Sequence, residues 1–136
     1  MYNSIFLQKE TNRIFATAGI PAHIKGFQYL RLAIILAIER QHFVNNMTKQ
    51  LYPKIAEHFE TSSSKVERAI RHAIEVAWTR GHTQTLNQLF GIPAFESNNR
   101  PTNGEFIALV ADKLMIDMLE HEQAKNICTN CKRQCS

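Results

Sequence analysis

The sequence predicts an all-α domain with an embedded helix-turn-helix, on three observations. Strand-like alternation of apolar and polar residues is almost absent. The segments between its five glycines and four prolines carry apolar residues at helical spacing. A strongly periodic segment near residues 64–80 follows a shorter one near 51–59 across a tight polar turn, Glu60–Ser62. About six helices are expected, with no internal repeat.

A first helix is expected over Ile5–Ala18, stopped by Gly19 with Pro21 just beyond. A second covers about His23–Arg40 and turns Leu30, Ala33, Ile34, Ala37 and Ile38 to one face. Polar Gln41–Asn46 breaks or bends it. Pro53 suits the first turn of a third helix, whose apolar face is Leu51, Ile55, Ala56 and Phe59. The fourth is the best defined: Val66, Ala69, Ile70, Ala73, Ile74, Ala77 and Trp78 form its apolar stripe. Ser64 and Glu67 have capping-box spacing at its start, and Gly81 closes it. Ser64, Glu67, Arg68, Arg71 and Glu75 fall opposite that stripe, with Lys65 and His72 beside them. A short fifth helix spans Gln84–Phe90, and Gly91–Thr102 reads as a loop. Asn103 or Thr102 can cap a final helix over about Glu105–Glu122, with Phe106, Val110, Leu114 and Met118 inward.

The chain has 136 residues, of which 44% are hydrophobic and 21% charged, enough for one domain with a real core. Residues 1–124 are expected to form it, with 125–136 a mobile tail. The longest apolar run, Leu32–Ile38, is far below the roughly 18 residues of a membrane span, and the charged N-terminal segment does not read as a signal peptide. Sixteen basic against twelve acidic residues, with a pI near 9.1, are compatible with a nucleic-acid partner, and many proteins that bind none share such an excess. Cys128, Cys131 and Cys135 form an odd, terminal set that cannot frame the domain with disulfides, which points to a reducing cytoplasm.

In a helix-turn-helix the second helix enters the major groove while the first braces it. Arg68 and Arg71 can each donate two bonds to a guanine, and Glu67 can accept from a cytosine amino group. The hydroxyls of Thr61, Ser62 and Ser64, with the helix N-terminus, suit a phosphate. The same residues read equally as a solvated face with Glu67–Arg71 and Arg71–Glu75 ion pairs at i,i+4.

Ser64–Trp78 (SKVERAIRHAIEVAW) resembles the recognition helix in the effector-domain family of stage zero sporulation protein A, a response-regulator transcription factor. Gly19–Gly26 (GIPAHIKG), Leu51–Ala56 (LYPKIA) and Pro101–Leu114 (PTNGEFIALVADKL) resemble further stretches of the same domain, in order, between Ile14 and Leu114. The resemblance implies an all-helical DNA-binding domain that occupies short operator boxes as tandem copies. It implies base contacts from Glu67, Arg68 and Arg71. Contacts near the phosphates fall to His72, His23, Lys25 and the hydroxyls ahead of the helix. Lys65 stands where the family usually has arginine, which keeps the charge and loses the planar fork.

The family's regulator carries an N-terminal receiver domain phosphorylated on an aspartate. The segment before Ile14 is too short for one, so the sequence is expected to be either an excised effector fragment or, as the Met1 start and the tail after Met118 favour, a stand-alone effector outside phosphorylation control. The family also touches the RNA polymerase sigma factor through the stretch after Gly81. Here the stretch from His82 keeps mainly Leu89, Phe90 and Gly91, and Ile92–Phe95 differs as well, which reads either as neutral drift on a solvent face or as a repressor or competitor at operators.

Cys128, Cys131 and Cys135 have a chelating look, with His121 as a fourth ligand, but the set lacks the two pairs of a zinc ribbon. It reads as a metal site, a redox-dependent dimer contact or a reduced tail, and no cofactor is expected. The six histidines are scattered without a nucleophile partner, and Trp78 on the apolar face is a core residue, so no enzyme is expected. The alternative to DNA binding is a protein-interaction module that modulates the full-length regulator or the polymerase.

Overall fold

The computed structural model describes residues 4–130, with side chains from 5 to 124. Seven α-helices follow in order among them: α1 (Ser4–Ala18), α2 (Lys25–Glu39), α3 (His42–Asn45), α4 (Tyr52–His58), α5 (Ser63–Arg80), α6 (Thr83–Phe90) and α7 (Asn103–Asn130). A π-helical turn, Met47–Leu51, leads into α4. The extra element relative to the expected six is α3, one turn formed where the sequence suggested only a bend. The last helix runs past Glu122 to Asn130. No strand forms among the described residues; Glu96 and Asn99 make an isolated bridge within a loop.

Most residues of the helical stripes read from the sequence are buried, while Phe59, Ala69 and Trp78 are half-buried at the margin of the core. Leu30, Ala33, Ile34, Ala37 and Ile38 of α2 are inaccessible, as are Val66, Ile70, Ala73, Ile74 and Ala77 of α5 and Phe106, Val110, Leu114 and Met118 of α7. The central helix is α2, which lies along both α5 and α7, while α1 packs on α6 and α7. Phe15 of α1 closes the gap, its ring 5.1 Å from Phe27 and 6.5 Å from Phe106. Each buried Ile, Leu or Phe contributes about 1.5–3 kcal/mol, so these faces and not the surface ion pairs hold the helices in place. No helix is long and apolar enough to cross a membrane among the described residues.

One crossing fixes how the helix pair sits on the rest. At Gly26, near the start of α2, an added Cβ would lie 2.2 Å from the Ala69 carbonyl oxygen and 2.9 Å from the Ala73 methyl. Backbone therefore meets backbone, and only glycine against two alanines permits it. The turn between α4 and α5 is equally constrained. Thr61 N–H donates to the Ala56 carbonyl (2.9 Å) and Glu60 N–H to Glu57 (3.4 Å), with Glu60 left-handed at φ 55°. This is a Schellman ending in which a glutamate occupies the place glycine usually takes.

Gly26→Ala is expected to cost about 2–3 kcal/mol through that clash. Urea unfolding of the two proteins measures it, and a change below about 0.5 kcal/mol would show that the crossing is not tight.

Candidate nucleic-acid interface

Helix α5 begins two residues earlier than the Ser64 capping box implied. Ser62 is the N-cap: its backbone is extended and its Oγ accepts the Lys65 N–H at 3.3 Å. The Schellman turn dictates this, because its last hydrogen bond ends at Thr61 and leaves Ser62 as the first residue free to extend. Glu67 thus lies beyond the first turn, and its carboxylate pairs with Arg71 instead. The Ser64 and Ser62 hydroxyls lie 3.4 Å apart at the helix mouth.

Along α5 the predicted residues share one solvent-facing side. Ser64, Lys65, Arg68, Arg71 and His72 are exposed; Glu67, Glu75 and, in the turn, Thr61 are half-buried. At about 100° per residue Arg68 takes the middle of that face. Lys65 and His72 take the edge next to Ala69 and Ala73, where α2 begins. Exposed His23 and Lys25 sit at that start, on either side of Ile24. No side chain caps α2, so its first amides are left for solvent or an anion. The crossing at Gly26 thereby gathers four basic side chains from two distant segments.

Glu67 and Arg71 take the opposite edge, beside the start of α7. There Asn103 Nδ2 donates to the Glu67 carbonyl (3.1 Å) and to the Tyr52 hydroxyl (3.0 Å), tying α7 to both helices of the pair. Burial raises the pKa of Tyr52, which stays a neutral phenol able to accept that bond. Arg71 also lies 3.9 Å from Glu75, which in turn lies 3.9 Å from Arg100 in the preceding loop. Both i,i+4 ion pairs expected of a solvated face, Glu67–Arg71 and Arg71–Glu75, therefore form in the free protein. Arg68 Nε donates to its own helix at the Ser64 carbonyl, 3.4 Å away. Exposed pairs of this kind are worth about 0–1 kcal/mol, less than the 1–3 kcal/mol of a bidentate arginine–guanine contact, so they do not lock the face against DNA.

Sequence reasoning missed Arg100 and the order of the 91–102 loop, and took Asn103 only as a candidate cap and not as the tie to Glu67 and Tyr52. The Trp78 indole N–H donates to the Glu96 carbonyl at 2.8 Å, and the Asn87 amide holds Phe95 by a bond in each direction (2.8 and 2.9 Å). Trp78, half-buried, also meets the rings of Phe95 and Phe106 edge-on. The loop ends in the true capping box of the chain: Thr102 Oγ1 accepts Glu105 N–H (3.1 Å), and the Glu105 carboxylate accepts Thr102 N–H (2.9 Å). Of the suggested metal ligands, His121 stacks on Phe6 with ring centroids 4.5 Å apart. The side chain of Cys128, with Cys131 and Cys135, lies outside the described residues; of the 125–136 tail, 125–130 continue α7 in backbone and the rest lies outside. Among the described residues no three His, Cys, Asp or Glu groups converge on a metal position.

A braced helix pair whose second member exposes arginines along one face defines a helix-turn-helix DNA-binding domain of a transcription regulator. A family model described as "Sporulation initiation factor Spo0A C terminal" matches residues 11–114, and the chain belongs to that family. It is thus a DNA-binding effector domain of the sporulation-initiation type, a family of transcription factors and not of enzymes.

The Thr102 backbone N–H, and after it the Thr102 hydroxyl, favour the ionised Glu105 carboxyl and hold it below the ordinary range. With the folded pKa below the unfolded one, this cap contributes fully above the ordinary carboxylate range and fades as pH falls through the depressed value. An NMR titration is expected to give Glu105 a midpoint below the ordinary glutamate value, with Thr102→Ala, which removes the hydroxyl but keeps the backbone N–H, returning it only part of the way.

Proposed function

We infer that this domain binds duplex DNA sequence-specifically by laying α5 in the major groove, as a regulator acting in the cytoplasm at sporulation operators. Glu67, Arg68 and Arg71 face the base edges. His23, Lys25, Thr61, Ser62, Ser64, Lys65 and His72 face the sugar–phosphate backbone. The observation that carries this reading is the crossing at Gly26, which sets His23 and Lys25 beside the exposed edge of α5. Four basic side chains then flank one rod about 10–12 Å across, which matches a groove about 12 Å wide. Tandem copies on adjacent boxes follow from the family's mode of binding.

A second feature bears on the outcome of binding. The exposed residues of α6 are Gln84, Thr85 and Gln88, none of them charged. They offer RNA polymerase sigma factor no ionic anchor, which favours a domain that occupies operators as a repressor or competitor. A reporter driven from an operator-bearing promoter tests this, and strong activation would remove the repressor reading.

The DNA reading is tested with a tandem-box operator beside a scrambled duplex at two salt concentrations. Operator affinity is expected to exceed scrambled affinity and both to fall steeply with salt. Arg71→Ala is expected to cost about 1–3 kcal/mol and to relax preference at one base pair, whereas Lys25→Ala weakens both duplexes alike. A chain without salt-dependent duplex affinity would instead be a protein-interaction module.

A further inference from the structure

On the edge of α5 away from Lys25, a cleft of about 430 Å³ opens between the π-helical turn, α5 and the start of α7. Thr48, Tyr52, Glu67, Arg71, Arg100 and Asn103 are among the residues that line it. Its two guanidinium groups outnumber its one carboxylate. The Arg100 side chain is about half exposed, at 48%, and its ion pair with Glu75 is a loose 3.9 Å. The Glu67 carboxylate is already held by Arg71, and the Glu105 carboxylate outside by Thr102. Arg100 is therefore the cation of this wall that an incoming anion can claim by displacing only Glu75.

The two walls of a major groove are the two phosphate strands, and a helix lying in it presents one edge to each. Lys65 and His72 occupy one edge of α5, with His23 and Lys25 at the start of α2 beside it. We propose that the cleft on the other edge is a second phosphate seat, in which Arg100 grips the strand opposite the one reached by Lys25. This rests on the reading of α5 as the groove-entering helix. Glu75, released by Arg100, stays beside Arg71. The loop that carries Arg100 is pinned at Trp78–Glu96 and Asn87–Phe95 and ends in the Thr102–Glu105 box, so the guanidinium is held near its post before DNA arrives.

The full chain and its Arg100→Ala, Arg100→Lys and Lys25→Ala variants are compared on operator and scrambled duplexes across a salt series. Thermal unfolding of each variant controls for folding. Arg100→Ala is expected to weaken both duplexes by the same factor, about threefold to tenfold at low salt, and to flatten the salt dependence by about one phosphate, with Arg100→Lys recovering most of the loss. Single methylphosphonate replacements along each strand localise the contact. A neutralised position on one strand is expected to weaken the unmodified protein and leave Arg100→Ala unaffected, and the Lys25→Ala pattern falls on the other strand. If Arg100→Ala keeps its affinity and salt slope while Lys25→Ala loses both, the seat does not exist and the groove reading survives. If Arg100→Ala alters only the preference for operator, Arg100 acts through Glu75 on Arg71 and the seat is overturned. If the unmodified chain shows no salt-dependent affinity for duplex DNA, the seat and the groove reading fall together.

Discussion

The contact of Gly26 with Ala69 and Ala73 is the constraint from which the rest of the binding face follows. Two helix backbones approach there without intervening side chains, which happens only where small residues meet. Because α2 also packs along α7, this contact orients α5 relative to both ends of the domain. It also decides what surrounds α5. On one side it places the start of α2, with His23 and Lys25. On the other, α7 arrives with Asn103 bonded to the Glu67 carbonyl and the Tyr52 hydroxyl. The face that remains open to solvent, from Lys65 and His72 to Arg71, is what these two neighbours leave uncovered.

Stability and recognition are divided between the two sides of α5. The inward side buries Val66, Ile70, Ala73, Ile74 and Ala77, and burial at about 25 cal/mol per Å² dominates what holds the helix. The outward side carries polar and charged side chains, some in exposed or half-buried pairs such as Glu67–Arg71 and Arg71–Glu75, which contribute little to the fold. Side chains that the fold does not need can exchange their protein partners for bases or phosphates at small cost. Arginine suits that exchange, since its fork satisfies a carboxylate in the free state and a guanine or a phosphate in the bound one.

Much of this was legible in the sequence because periodicity reports burial directly. The stripes of α2, α5 and α7 and the stop signals at Gly19, Gly81 and Gly91 needed no three-dimensional information. The start of α5 was less legible. Ser62, Ser63 and Ser64 are all acceptable caps, and the choice among them is made by the α4 ending, which a glutamate in a left-handed conformation disguises. The one-turn α3 and the π-helical turn are too short and polar to carry a periodic signal. Arg100 was invisible for a different reason: its place depends on hydrogen bonds from Trp78 and Asn87 to the loop, contacts that no spacing encodes. A capping box was expected in the chain and is present, but at Thr102 and Glu105.

The central claim is that one face of the domain, built around α5, meets DNA. Titrating the isotopically labelled chain with a tandem-box operator duplex and following backbone amide shifts by NMR tests it most directly. The largest shifts are expected at residues 23–26 and 61–72, with a second group near Arg100, while the exposed residues of α6 move little. Shifts concentrated on α6 and the outer face of α7, with residues 61–72 unmoved, would contradict it.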